Sequence, residues 1–108
     1  MKGQIVLITF PFTDLTSKKL RPALILHEDE KDVIVVFISS RIAKAKSQDI
    51  PIRIVNSEFK QTGLKVDSFI KIDKIATLSK TLIVGELGEL GSKLKEEVNQ
   101  KISEVLKL

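Results

Sequence analysis

The chain has 108 residues, 43% of them hydrophobic, no cysteine, and 18 Lys and Arg against 14 Asp and Glu for a formal charge of +4. That length and apolar content fit one domain over residues 1–108, the missing cysteines exclude disulfides and thiolate metal sites, and the modest positive balance favours an anionic partner. The apolar runs fall far short of the ~20 residues a bilayer-spanning helix needs, and with no leader pattern at the start a cytoplasmic location is expected.

Gln4–Phe10 is short, apolar and β-branched, as a strand requires, and Pro11, having no N–H for a sheet ladder, ends it. Residues 12–20 follow as a polar connection, the first candidate functional loop. A second strand is expected from about Pro22 to Leu26, with the proline at its start, then an acidic turn over residues 28–32 and a third strand from Val33 to Ser39. Both are nearly all apolar, as in strands buried on two faces. Ile50, Ile52 and Ile54 alternate with Pro51, Arg53 and Val55, which predicts a half-exposed edge strand, and residues 56–63 read as a loop or short helical turn. Val66, Ser68, Ile70 and Ile72 alternate with Asp67, Phe69, Lys71 and Asp73 as a further strand, and residues 74–78 and 81–87 read as two more short ones. The glycine-rich run from Gly85 to Gly91 carries two glutamates and reads as a turn into the last helix rather than a phosphate loop. There Ser92 is the expected N-cap, and Leu94, Val98, Ile102, Val105 and Leu106 recur at helical spacing. Strands in series closed by one amphipathic helix predict a mainly β fold, a small barrel with a helical cover.

Gly3-Gln4-Ile5-Val6-Leu7 leading into Phe10-Pro11-Phe12-Thr13-Asp14, then Lys19-Leu20-Arg21-Pro22-Ala23-Leu24, resembles the opening of the PemK/MazF family of toxin endoribonucleases. Ile38-Ser39-Ser40-Arg41-Ile42 with Lys44-Ala45-Lys46 is similar to the family's second motif. Gly63-Leu64, Asp67-Ser68 and Lys74-Ile75-Ala76-Thr77-Leu78 resemble its third block. The resemblance implies an SH3-like barrel that forms a homodimer, cuts single-stranded RNA selectively without metal or cofactor, leaves a 2′,3′-cyclic phosphate, and inhibits growth. It also implies a partner, an acidic and partly disordered antitoxin protein occupying the same cationic groove.

Cleavage of RNA by its own 2′-hydroxyl needs an acceptor for that proton, positive charge at the crowded phosphorus, and a donor to the departing 5′-oxygen. Arg21 matches the family's catalytic arginine. Its planar guanidinium grips two phosphate oxygens as charge builds, but is a poor base at neutral pH, so the general base stays unassigned. Ser39 stands where the family usually has threonine and keeps the hydroxyl while losing the methyl that restricts the rotamer. Lys18, Lys19, Arg41, Lys44 and Lys46 flank the two motifs as candidate phosphate contacts, and Asp14 is the acid expected nearest to RNA. Phe10 and Phe37 read as core, leaving Phe12 as the loop aromatic for a base. His27, the sole histidine, reads as an exposed strand-end residue rather than a base, and Asp67 as a cap or an orienting partner of Arg21.

The alternative is a binding protein on the same barrel, either a topoisomerase-poisoning toxin or a non-catalytic RNA or regulatory module. Ala76, where the family often has arginine, and the replaced threonine leave room for it. The ending Val105-Leu106-Lys107-Leu108 lacks the terminal aromatic of gyrase-poisoning relatives and argues the other way.

Overall fold

The structure is a computed structural model that describes residues 1–10 and 19–108, with Phe10 described in its backbone only. Phe12, Asp14 and Lys18 therefore lie outside the described residues, as does the Pro11 strand end.

Among the described residues, six strands, β1 (Gln4–Phe10), β2 (Lys19–Glu28), β3 (Asp32–Ser39), β4 (Ile50–Ile52), β5 (Ser68–Ser79) and β6 (Ile83–Glu89), precede a single α-helix, α1 (Ser92–Val105). All neighbours pair antiparallel in the order β4-β5-β3-β2-β1-β6, so the protein is mostly β with one C-terminal helix. The sheet has two ends, β4 and β6, that do not pair with each other among the described residues.

Period-2 alternation along the inner strands feeds two cores on opposite faces. Ile5, Leu24, Val36, Ile38, Ile70 and Ile72 pack with Leu94 and Val98 of α1, while Val6, Ile8, Ala23, Ile25, Val33 and Val35 gather with Leu78 on the other face. Burying each such side chain contributes roughly 1.5–3 kcal/mol, several times an exposed helix ion pair such as Lys101–Glu104 at 3.9 Å. Apolar burial therefore seats α1. The apolar stripe expected on that helix is buried at Leu94 and Val98, half-buried at Ile102, and exposed at Val105 and Leu106.

Several boundaries differ from expectation for identifiable reasons. β2 is longer at both ends because it pairs with β1 over Lys19–Leu24 and with β3 over Ala23–Glu28, so each ladder draws polar residues into the strand. Pro22 is thus its fourth residue, placed one position before the β3 ladder begins. The strand expected over 66–73 and the one over 74–78 fall in a single element, β5, broken by a bulge. Phe37 of β3 faces Lys71 and the adjacent Val36 faces Ile75, leaving residues 72–74 without β3 partners. That insertion bends the strand. Most of the glycine-rich segment belongs to β6, whose ladder with β1 shifts register twice, and only Leu90 and Gly91 turn into the helix.

Ser92 is the first residue of α1 rather than its cap. Glu58 supplies the cap from a distance in sequence: its carboxylate accepts from Leu94 N at 2.9 Å and Lys93 N at 3.1 Å. A Cβ at Gly91 would collide with that carboxylate, which explains the glycine. The two backbone donors, Leu94 first, hold the Glu58 carboxyl below the ordinary carboxylate value. A depressed folded value means the stabilisation is present above the unfolded value and lost as pH falls through the folded one. The first turn of α1 is therefore expected to fray on acidification below about pH 4. The protection of the Lys93 and Leu94 amides, measured by NMR as exchange relative to the intrinsic rate at each pH, should fall over that range in the wild type. In Glu58→Gln that protection should already be low at neutral pH; equal protection in both would contradict the cap.

Candidate functional site

Two strands bring the candidate residues together. The β2–β3 ladder ends at Ala23↔Phe37, so Arg21 and Ser39 each lie two residues beyond that pair at the same end of the two strands. Both side chains line one open cleft of about 420 Å³, and both also line the adjoining cavity of about 390 Å³. The two share a wall.

The electrostatics of the first cleft are one-sided. Lys19, Arg21, Arg41 and Lys65 line it, and no acidic side chain does among the described residues. Such a concave surface concentrates positive potential and attracts a polyanion. Ser39 Oγ accepts a hydrogen bond from Arg41 N at 3.1 Å, which tucks the chain round at the end of β3 and leaves the hydroxyl hydrogen available to donate. Leu64 and Val66 also line the cleft, on a segment entered through Gly63 at φ +75°. A side chain at Gly63 would be strained by that φ and would overlap the backbone of Leu87.

The loop after β3 contains Lys44 and Lys46 and is fastened to β5 at two points. Lys46 Nζ meets Asp73 Oδ2 at 2.7 Å, a contact that lowers the Asp73 carboxyl and raises the Lys46 ammonium from their ordinary values. Lys71, buried, sends its ammonium to the Lys44 carbonyl at 2.7 Å and to the fully buried Asp49 carboxylate. Asp49 Oδ2 also accepts from Lys46 N at 2.7 Å, whereas its Oδ1 has no hydrogen-bond partner.

Of the candidates named from the sequence, the structure places Arg21, Ser39, Lys19 and Arg41 around one cleft, and Lys44 beside Arg21 and Ser39 in the next cavity. Lys46 is in a third pocket with Lys44, engaged with Asp73. Phe37 is half-buried at the cavity wall, packed against the second core. His27 is exposed at the far end of β2, 3.2 Å from Asp29. Asp67 accepts from Ile54 N at 2.7 Å, the turn-capping role of its two expected ones. Sequence reasoning missed Lys65, Lys71 and Lys74. The first lies two residues from Gly63 in a block already singled out. Lys71 is the last paired residue before a bulge that simple alternation does not foresee, and Lys74 lies within it.

No helix is long and apolar enough to cross a membrane among the described residues. Nor does any group of three or more His, Cys, Asp or Glu side chains there form a metal-binding cluster.

Comparison with known proteins adds a family to this geometry. No curated protein matches the chain. Solved structures match over nearly all of it: the Mycobacterium tuberculosis toxin MazF-mt6, at 20% identity with 97% of each chain covered and a TM-score of 0.74. MazF from Deinococcus radiodurans matches at 20% identity, 98% and 94% coverage and a TM-score of 0.72. A mycobacterial endoribonuclease in complex with its cognate antitoxin matches at 18% identity, covering 100% of this chain and 93% of the other, with a TM-score of 0.73. At such identities these likenesses establish the shared fold. The model of the PemK-like, MazF-like toxins of type II toxin-antitoxin systems matches residues 1–106, and with nearly the whole chain inside that match, this protein belongs to that family.

Proposed function

We propose that the protein is a sequence-selective endoribonuclease toxin that cuts single-stranded RNA, mRNA among it, by attack of the 2′-hydroxyl on the neighbouring phosphate, leaving a 2′,3′-cyclic phosphate. The observation that carries this reading is that Arg21 and Ser39 share one cleft lined by cations, with no acidic side chain in that lining among the described residues. Arg21 stabilises the charge that builds on the non-bridging phosphate oxygens, and Ser39 donates a hydrogen bond to one of them or relays a proton to the leaving oxygen. Lys19, Arg41 and Lys65 hold flanking phosphates. They add affinity without choosing bases. Phe12, Asp14 and Lys18 belong to the same RNA contact surface as candidates.

Because the attacking group belongs to the substrate and the stabilising charge to the protein, the reaction as drawn requires no metal and no cofactor. The partner is an acidic antitoxin that covers the cationic groove, in keeping with a fold relative solved with its cognate antitoxin. Action on cellular RNA places the toxin in the cytoplasm, as a homodimer in keeping with its family.

Purified protein incubated with long single-stranded RNA in excess EDTA should produce discrete, reproducible cuts. RNA left intact at every protein concentration would contradict the reading. Ser39→Ala should cut more slowly, with a smaller loss than any change at Arg21, since one neutral donor contributes less than a charged bidentate one. Ser39→Thr should match or exceed the wild type, because the added methyl restricts the rotamer without altering the donor. A threonine variant without activity would remove Ser39 from the site.

A further inference from the structure

Lys44 and Lys74 stand over a pocket of about 440 Å³ whose charged lining is wholly lysine, completed by Lys46 and Lys71. Two of those charges are already answered, Lys46 by Asp73 and Lys71 by Asp49. Lys44 and Lys74 form no ion pair among the described residues. The pocket is continuous with the Arg21–Ser39 site, since Lys44, Lys71 and Lys74 also line the cavity those two residues border. We propose that it is a second phosphate subsite, taking the backbone phosphate of a neighbouring nucleotide of the same single-stranded RNA, and that Lys71 is the positioning residue that builds it. This inference rests on the nuclease reading above.

The subsite exists because of the bulge. Residues 71 and 74 are an odd number apart and in a regular strand would point to opposite faces, yet both line the same pocket. The unpaired insertion of residues 72–74 turns Lys74 back toward Lys71. Lys71 then orders the other wall. Its ammonium binds the Lys44 carbonyl and the Asp49 carboxylate, and Asp49 takes the Lys46 N–H, so the loop is fixed on both sides of Ala45. With its charge cancelled by Asp49, Lys71 adds little attraction of its own. Its contribution is to hold the Lys44 backbone in place before RNA arrives, so that less ordering remains to be done on binding.

The test uses fluorescent 2′-O-methyl RNA oligonucleotides, which bind but lack the nucleophile, with affinity measured as a function of salt. Lys44→Ala and Lys74→Ala should each reduce the magnitude of the log–log salt slope by about 0.7, the value of one phosphate contact on a single strand. Both should also lose the gain in affinity that the wild type shows when the oligonucleotide is lengthened on one particular side. The double variant Lys71→Met/Asp49→Leu removes no net charge. It should nevertheless show the reduced slope of Lys44→Ala, because the loop is no longer held. Wild-type slopes in Lys44→Ala and Lys74→Ala would overturn the subsite. A wild-type slope in the double variant would overturn the positioning role of Lys71. Slope changes as expected in a protein that cuts no RNA would keep the subsite and discard the nuclease reading, whereas cutting with unchanged slopes would do the reverse.

Discussion

Arg21→Ala should lower the rate of RNA cleavage by about 10²–10³ or more, the loss expected when a preorganised donor to a developing oxyanion is removed. The side chain is half-buried at the start of β2, outside both core clusters, so its removal opens no cavity in either. Thermal unfolding should therefore change little. Single-turnover cleavage would show the loss in the chemical step, while RNA affinity falls only by the contribution of one phosphate contact. Arg21→Lys should recover part of the binding and little of the rate, because an ammonium is a point charge and does not span two oxygens in a plane. Equal cutting by Arg21→Ala and the wild type would locate the activity elsewhere.

The second large effect is on stability. Lys71→Met leaves the Asp49 carboxylate buried with only the Lys46 N–H as a partner, its Oδ1 being unpaired already. Breaking a buried pair on one side costs about 3–5 kcal/mol, because the remaining charge has neither solvent nor counterion. For a domain of this size that corresponds to a drop in Tm of more than ~10 °C. Adding Asp49→Leu should restore most of the loss, since replacing both charges by apolar groups removes the uncompensated ion. A single variant that melts with the wild type would show that water reaches Asp49 and that the pair is not truly buried. The exposed Lys46–Asp73 contact should matter far less, as surface ion pairs commonly contribute under about 1 kcal/mol.

How legible these features were in the sequence follows from the physics of each. β1 was legible from Gln4 onward because an unbroken apolar, β-branched run favours a strand. The approach of Arg21 to Ser39 was foreseeable because two apolar strands joined by a tight acidic turn must pair antiparallel, which sets the start of one beside the end of the other. Lys71 was not foreseeable. Alternation through Ile70 and Ile72 assigned it to the solvent side, but the bulge and the buried Asp49 carboxylate, 22 positions away, draw it inside. Lys74 was hidden by the same bulge, since a periodic pattern carries no mark of an inserted residue. The cap on α1 went to the nearest hydroxyl, Ser92, because a donor–acceptor match spanning 36 residues, Glu58 to Leu94, leaves no local signal.

In the proposed reaction the nucleophile is the RNA's own 2′-hydroxyl, with the phosphate held by Arg21 and Ser39. The most direct test is a pair of end-labelled oligonucleotides spanning one mapped cut, identical except for a single 2′-deoxy nucleotide immediately 5′ of the scissile phosphate, incubated with the protein in EDTA. The all-ribose strand should be cut to a product ending in a 2′,3′-cyclic phosphate, and the substituted strand should stay whole at that position. Cutting of both strands at the same phosphate, or a product that never carries the cyclic end, would contradict it.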